Sequence, residues 1–292
     1  MSANENVMQT LVPATDGPLL AWLLDALRPM SRSSVKELLR HGRVTVNGKA
    51  ITQFDHLLRA GDQVALRKAS PVAARAAFGL PIIAMDEHWL VLDKPAGLLS
   101  VATEKEKTDT AFSVLNAHLK ETDQGRPFVV HRLDRETSGL LLFARSAEMR
   151  DRFQTNWESV TKTYLAVVEG NPRVAEGVIE NDLVEGHDLR VRVCGASYEG
   201  AKRAISQYRV VKAGGRRSLV EIVLITGRKH QIRVHMSGLG HPVVGDKSYG
   251  AKSDPIGRLA LHAHQLSFDH PVDGKRIEVR SPVPTDLKRS VG

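Results

Sequence analysis

The run HRLDRETSGLLL, residues 131–142, sets one carboxylate, Asp134, between two guanidiniums, Arg132 and Arg135. Positive charge nearby stabilises the ionised acid. The same arginines can take phosphate oxygens in a forked, two-bond geometry. A carboxylate that attacks or positions, flanked by groups that hold a polyanion, suits chemistry on a nucleotide. The plainer alternative is a surface ion pair in a turn before a buried strand. The segment therefore needs support from elsewhere in the chain.

Further segments carry reactive or cationic side chains. DKPAGLLS (93–100) places Lys94 and a Pro-Ala-Gly turn after a strand. YLAVVEG (164–170) opens on Tyr164, directly after Lys162 and Thr163. TGRKHQIRVHM (226–236) presents Arg228, Lys229, His230, Arg233 and His235. GHPVVGD (240–246) and RLALHAHQLSFDHP (258–271) complete the series. His262 and His264 could face one way on a strand, but no acid or cysteine sits at ligand spacing around them. No metal site is expected. The single cysteine, Cys194, excludes an internal disulfide and a Cys-based zinc cluster.

Composition bounds what these segments can belong to. A chain of 292 residues has room for one large domain and one small one. A hydrophobic content of 42% with 25% charged residues describes a soluble globular protein. No apolar stretch reaches the ~18 residues of a membrane span. The first thirty residues lack the pattern of a secretory signal, so a cytoplasmic protein is expected. The net charge of +8 favours a polyanionic partner without separating RNA from DNA.

The elements that must position these residues fall into a small front and a large body. Residues 1–15 read as a tail, 16–68 as a small domain, 69–80 as an Ala-rich linker and 81–290 as the body. In the front, residues 19–28 have helical apolar spacing and end before Pro29. Ser33 or Ser34 can cap a second helix, VKELLRH, which Gly42 stops. RVTVNGK alternates as a strand and carries the Asn47-Gly48 turn signal, and AGDQVALR adds a turn and a short strand. Arg32, Lys36 and Arg40 recur every fourth residue and share a helix face, with Arg43 just beyond. A solvated face is the plain alternative.

In the body, strands are expected at PIIAMDEHWLVLDK, VVHRLDRETSGLLLFA, KTYLAVVEG, AKRAISQYRVVK, RRSLVEIVLIT and RLALHAHQLSF. Helices are expected at DTAFSVLNAHLK, AEMRDRFQTNWES and KHQIRVHMSGL. Strands grouped together with helices irregularly interspersed imply a mixed α+β fold.

The front, through SRSSVKELLRHGRVTVNGKAI and RAGDQVAL, resembles the αL RNA-binding motif named for a ribosomal small-subunit protein. The body segments together resemble the RluA family of RNA pseudouridine synthases across residues 81–285, and HRLD-x-x-TSG is among the more diagnostic motifs of RNA-modifying enzymes. That resemblance implies the pseudouridine synthase fold, a long bent mixed sheet around an RNA-binding cleft. It implies isomerisation of uridine in structured RNA, with no metal and no organic cofactor. By the same resemblance Asp134 is the catalytic aspartate, Tyr164 packs on the target base, and Arg233 pairs with the aspartate. Arg132 fills the gap left by a flipped nucleotide, and Ile232 and Leu261 line the base pocket. Arg135, Lys94, Arg228 and His230, with Arg32, Lys36, Arg40 and Arg43 in front, are expected to contact RNA. After KPAGLLS the chain departs from the family pattern with VATEKEKTDT, so contacts there do not carry over. A monomeric enzyme is expected, with ribosomal RNA favoured as target over transfer RNA. Two alternative classes are a non-catalytic RNA-binding protein, against which the intact Asp134, Tyr164 and Arg233 argue, and a base-releasing ribonucleoside hydrolase using the same carboxylate, which product analysis separates.

Overall fold

Along RSLVEIVL, residues 217–224, every second side chain is buried, the signature of a strand with one face on a core. Along SGLLLFA, residues 138–144, every side chain is buried, as in a central strand covered on both faces. These two patterns organise the body. The computed structural model describes residues 7–40, 44–51, 53–67, 79–104, 106, 109–186 and 188–291. It separates into two compact units, residues 1–81 with 117–124, and residues 82–116 with 125–292.

The front unit runs β1 (Val7–Leu11), β2 (Gly17–Pro18), α1 (Leu19–Ala26), α2 (Arg32–Arg40), β3 (Val44–Val46), β4 (Lys49–Ala50), β5 (Leu57–Leu58) and β6 (Val64–Arg67). Its sheet has the order β1-β6-β3-β4. Leu19, Leu23, Val35 and Leu39 of the two helices bury against Val44, Val64 and Leu66. At the β3–β4 turn Asn47 and Gly48 both take positive φ, and the Asn47 amide donates to Asp62 Oδ1 at 2.8 Å. Two expectations are corrected here. Val7–Leu11, read as tail, pairs antiparallel with β6. The cap of α2 is Ser31, whose Oγ accepts from the Ser34 N–H at 3.2 Å, rather than Ser33 or Ser34. Gly42, Arg43 and most of the expected linker lie outside the described residues.

The body continues with β7 (Ile82–Met85), β8 (Trp89–Lys94), α3 (Ala111–Glu121), β9 (Phe128–Val129), β10 (Ser138–Ala144), α4 (Ala147–Thr155) and β11 (Thr161–Glu169). It closes with β12 (Glu176–Glu185), β13 (Val191–Cys194), β14 (Lys202–Ala213), β15 (Arg217–Leu224), α5 (Gln231–Gly238), β16 (Leu261–Asp269), β17 (Arg276–Arg280) and α6 (Thr285–Ser290). Among the described residues, eleven strands form one mixed sheet, β13-β12-β14-β15-β11-β16-β10-β8-β7, with β17 on β16 and β9 on β10. β10 and β16 run parallel, whereas β10 and β8 run antiparallel. The expected strand through VVHRLDRETSGLLLFA is broken: only its ends are β9 and β10, and Asp134 sits in the loop between. PIIAMDEHWLVLDK is likewise a hairpin of two strands. No described helix is long and apolar enough to cross a membrane.

Candidate active site

The loop bearing Asp134 is fixed from the sheet upward. Ser138 and Gly139 at the start of β10 pair with His262 and Ala263 of β16. Gly139 has φ +109°, and a Cβ there would lie 2.2 Å from the Ala263 carbonyl oxygen, so only glycine fits. Ahead of it, the Ser100 hydroxyl accepts from the Leu133 N–H at 2.9 Å and donates to the Leu133 carbonyl at 2.8 Å. One buried side chain thus holds both backbone groups of the residue preceding Asp134. The Thr137 N–H donates to the Asp134 carbonyl at 3.1 Å, closing the turn. His131 Nε2 accepts from the Leu142 N–H at 2.9 Å while its ring stacks on Trp157. Burial pushes that imidazole down to about 3, so it stays neutral and acts as a pin.

Lys94 belongs to the same scaffold. Its side chain is fully buried, and Nζ donates to the carbonyls of Pro95, Leu98 and Arg135 at 3.0, 2.7 and 3.2 Å. Burial pushes its ammonium down to about 8, against the pull of Glu136 and Asp134. The expected RNA contact by Lys94 is therefore corrected: it is an internal brace, out of reach of a ligand. Arg135 stays exposed, its Nε donating to the Gly97 carbonyl at 2.9 Å.

A cleft of about 470 Å³ opens over Asp134. Tyr164 enters it from β11, beside a register shift at Thr163 and Tyr164. Burial raises the Tyr164 phenol pKa and the charge on Asp134 raises it further, so the hydroxyl keeps its proton. Ile232 and Leu261 form its apolar lining. Arg132 and Arg228 line the cleft as exposed residues, and Arg228 Nε donates to the Arg203 carbonyl at 3.0 Å. His230 lies beside the carboxylate, with Nε2 3.9 Å from Asp134 Oδ2. In the front unit Arg32 is exposed, and Lys36 Nζ lies 5.5 Å from the Phe54 ring centroid. Arg40 closes α2, and Arg43 is outside the described residues.

Arg233 reaches the cleft, but its ion-pair partner is not Asp134. Its Nε and Nη2 donate to the two carboxylate oxygens of Asp246 at 2.6 and 2.7 Å. Its guanidinium carbon sits 4.8 Å from the Tyr249 ring centroid. The reason is the turn at Gly245, where φ is +81° and a Cβ would lie 2.1 Å from the Arg258 carbonyl oxygen. That turn buries the Asp246 carboxylate under the helix, where a two-oxygen acceptor matches the guanidinium fork. Asp134 and Arg233 interact only through the field between them. Sequence reasoning also missed Gln231. Its Oε1 accepts from Thr226 Oγ1 and the Arg228 N–H at 2.8 and 2.9 Å, and its Nε2 donates to the Ile205 carbonyl and Ser206 Oγ at 2.9 and 3.0 Å. All four bonding positions of one amide are used to shape the 226–231 loop.

Comparison with known proteins agrees with this architecture. Residues 88–238 match the family model described as RNA pseudouridylate synthase, and residues 18–64 match the S4 domain. An uncharacterised RNA pseudouridine synthase of Bacillus subtilis is 33% identical over 282 residues, covering 91% of each chain. The ribosomal large subunit pseudouridine synthase D of Neisseria meningitidis is 33% identical over 308 residues, covering 98% of this chain and 81% of that one. The solved human RNA pseudouridylate synthase domain containing 4 aligns at 27% identity with a TM-score of 0.62, over 76% of this chain and 95% of that one. The mixed sheet is thus the pseudouridine synthase fold, preceded by an S4 domain. By sequence and by fold, the chain belongs to the RluA-type RNA pseudouridine synthases, enzymes that isomerise uridine in RNA to pseudouridine.

Proposed function

We propose that Asp134 is the catalytic group and that the target uridine lies in ribosomal RNA. The observation that carries the first part is the placement of the Asp134 carboxylate, a quarter exposed, in a cleft it shares with Tyr164 and the cationic 228–233 segment. The reaction breaks the bond from the sugar to N1 of uracil and forms one to C5. N1 gains a proton and C5 loses one, so the isomerisation balances with no oxidant or reductant. An ionised carboxylate can serve as nucleophile or base, and water must be kept from the detached base. Tyr164 supplies the flat surface on which that base turns, and Ile232 and Leu261 exclude water. Arg132, an exposed residue of the cleft lining, fills the gap left by the flipped nucleotide in this reading; extrusion of a base costs a few kcal/mol. Arg233 acts through its field rather than by pairing with the aspartate.

The second part rests on the S4 match in front and on the relative from Neisseria meningitidis named for the large ribosomal subunit. In that division of labour Arg32, Lys36, Arg40 and Arg43 grip the RNA backbone, and the body supplies chemistry. One experiment tests both parts. Asp134→Asn, nearly isosteric, should lower the single-turnover rate at least about a thousandfold while RNA affinity changes less than about threefold. Cells carrying only that variant should lack pseudouridine at one or more positions of large-subunit ribosomal RNA. Turnover by the purified variant would remove Asp134 from the chemistry, and loss confined to transfer RNA would move the target class.

A further inference from the structure

Three groups meet at one side of the cleft: the Val191 backbone, the Tyr249 hydroxyl and the His230 ring, which itself lines the cleft beside Asp134. The Val191 N–H donates to Tyr249 Oη at 3.0 Å, and Tyr249 Oη lies 2.8 Å from His230 Nδ1. An N–H can only donate, so it occupies a lone pair of the phenol oxygen. Among the described residues His230 Nδ1 is the acceptor within reach of that hydroxyl's proton, and donation to it satisfies the phenol O–H while Val191 satisfies its oxygen. Burial raises the Tyr249 phenol pKa, so the proton to donate is there. With Nδ1 accepting, a neutral His230 carries its own proton on Nε2, the nitrogen that faces Asp134 Oδ2 at 3.9 Å. Burial lowers the His230 pKa, with Arg233 and Lys229 acting in the same sense and Asp134 and Asp246 against it. The ring is aimed by its backbone: His230 takes the left-handed region at φ +54° as it caps α5.

We infer that His230 is a positioning residue for the catalytic carboxylate, presenting Nε2–H to Asp134 in a tautomer that Tyr249 selects. This rests on the assignment of Asp134 above. The separation exceeds a hydrogen bond of about 2.7–3.2 Å, and catalytic contacts of this kind tighten when the substrate is bound. A shift of about 1 Å in the RNA complex closes it. The arrangement also ties the aspartate to the β12–β13 hairpin. Val191 opens β13, and Lys229 both donates to the Leu189 carbonyl at 3.2 Å and pairs with Glu185 at the end of β12.

The tautomer is read directly from imidazole ¹⁵N shifts of the full-length protein, with the His230 signals identified by their loss in His230→Gln. Wild type should show the Nε2–H form, and Tyr249→Phe should convert part of it to Nδ1–H. In single turnover at saturating RNA, His230→Leu should lose about tenfold in rate with unchanged affinity. His230→Gln, whose amide N–H can take the place of Nε2–H, should recover most of that loss. An Nδ1–H wild-type ring overturns the inference, as does a rate equal to wild type in His230→Leu or a loss confined to affinity. Asp134→Asn separates this from the parent reading. If that variant is inactive and its His230 pKa falls, because the opposing charge is gone, both stand. An inactive variant with an unmoved His230 pKa leaves Asp134 catalytic and sinks the coupling, whereas an active variant removes the parent reading itself.

Discussion

Asp134 and Arg233 face one cleft from walls held by different kinds of bond. On the Asp134 wall the holding groups are mostly backbone: the β10–β16 pairing, the turn into Thr137, and the two Leu133 groups gripped by Ser100. On the Arg233 wall they are side chains: Asp246 under the guanidinium, Gln231 across the loop, Tyr249 beneath His230. Backbone geometry does not change when a group ionises or a partner is neutralised. A carboxylate whose place must be invariant is mounted on the first wall. The groups that set the field around it are mounted on the second, where each depends on the charge of its neighbour.

The sharpest way to break the first wall is Gly139→Ala. The added methyl meets backbone on β16 at a positive φ, so neither rotation nor side-chain repacking relieves it. We expect a loss of about 4 kcal/mol by urea unfolding. Gly97→Ala is the control: it also has positive φ, but nothing lies within 4 Å of its Cβ, so about 1 kcal/mol of strain is the whole cost. Equal stability of the two variants would mean that the β10–β16 contact does not fix this loop.

The second wall breaks through charge. Asp246→Asn keeps the shape and leaves the Arg233 guanidinium buried without its counter-charge. About 3 kcal/mol of stability should go. Arg233→Met combined with Asp246→Leu should recover much of it, because the uncompensated charge is then absent, yet the single-turnover rate should stay at least about tenfold down. A double variant with a normal rate would make the pair purely structural.

The same contrast explains what was legible in the sequence. Asp134, its flanking arginines and the glycine that anchors the loop are contiguous, because a backbone-held loop is encoded next to the strand that holds it. Tyr164, Ile232 and Leu261 sit within short motifs, and all three line the cleft. The partner of Arg233 was not legible. Asp246 returns from a loop thirteen residues on, and nothing local separates it from Asp134 as a candidate. Lys94 was misassigned because a lysine ending a strand reads the same whether it faces solvent or folds under its own turn. The polar β12 strand went unread because only scattered positions along it are buried. β1 went unread because its pairing partner is β6, at the far end of the small unit.

The smallest effect concerns Lys94, the one titrating member of the backbone wall's support whose displaced pKa falls in an accessible range. Its folded pKa is about 8, against 10.5 for the free side chain. Between those values the unfolded chain binds more protons than the folded one, so stability rises with pH. The charged form carries the burial cost below about pH 8, and that cost disappears as the ammonium loses its proton. At 1.36 kcal/mol per unit, wild type should gain about 2 kcal/mol relative to Lys94→Met between pH 7 and 9.5. Arg233 has its pKa raised and stays charged throughout, so the Asp246→Asn deficit should stay flat over the same window. Chemical denaturation at four or five pH values measures both differences. A flat Lys94→Met difference would mean that Nζ is hydrated in solution rather than sealed among its three carbonyls. A rising one would show that the wall built on backbone still has one charge-sensitive brace beneath it.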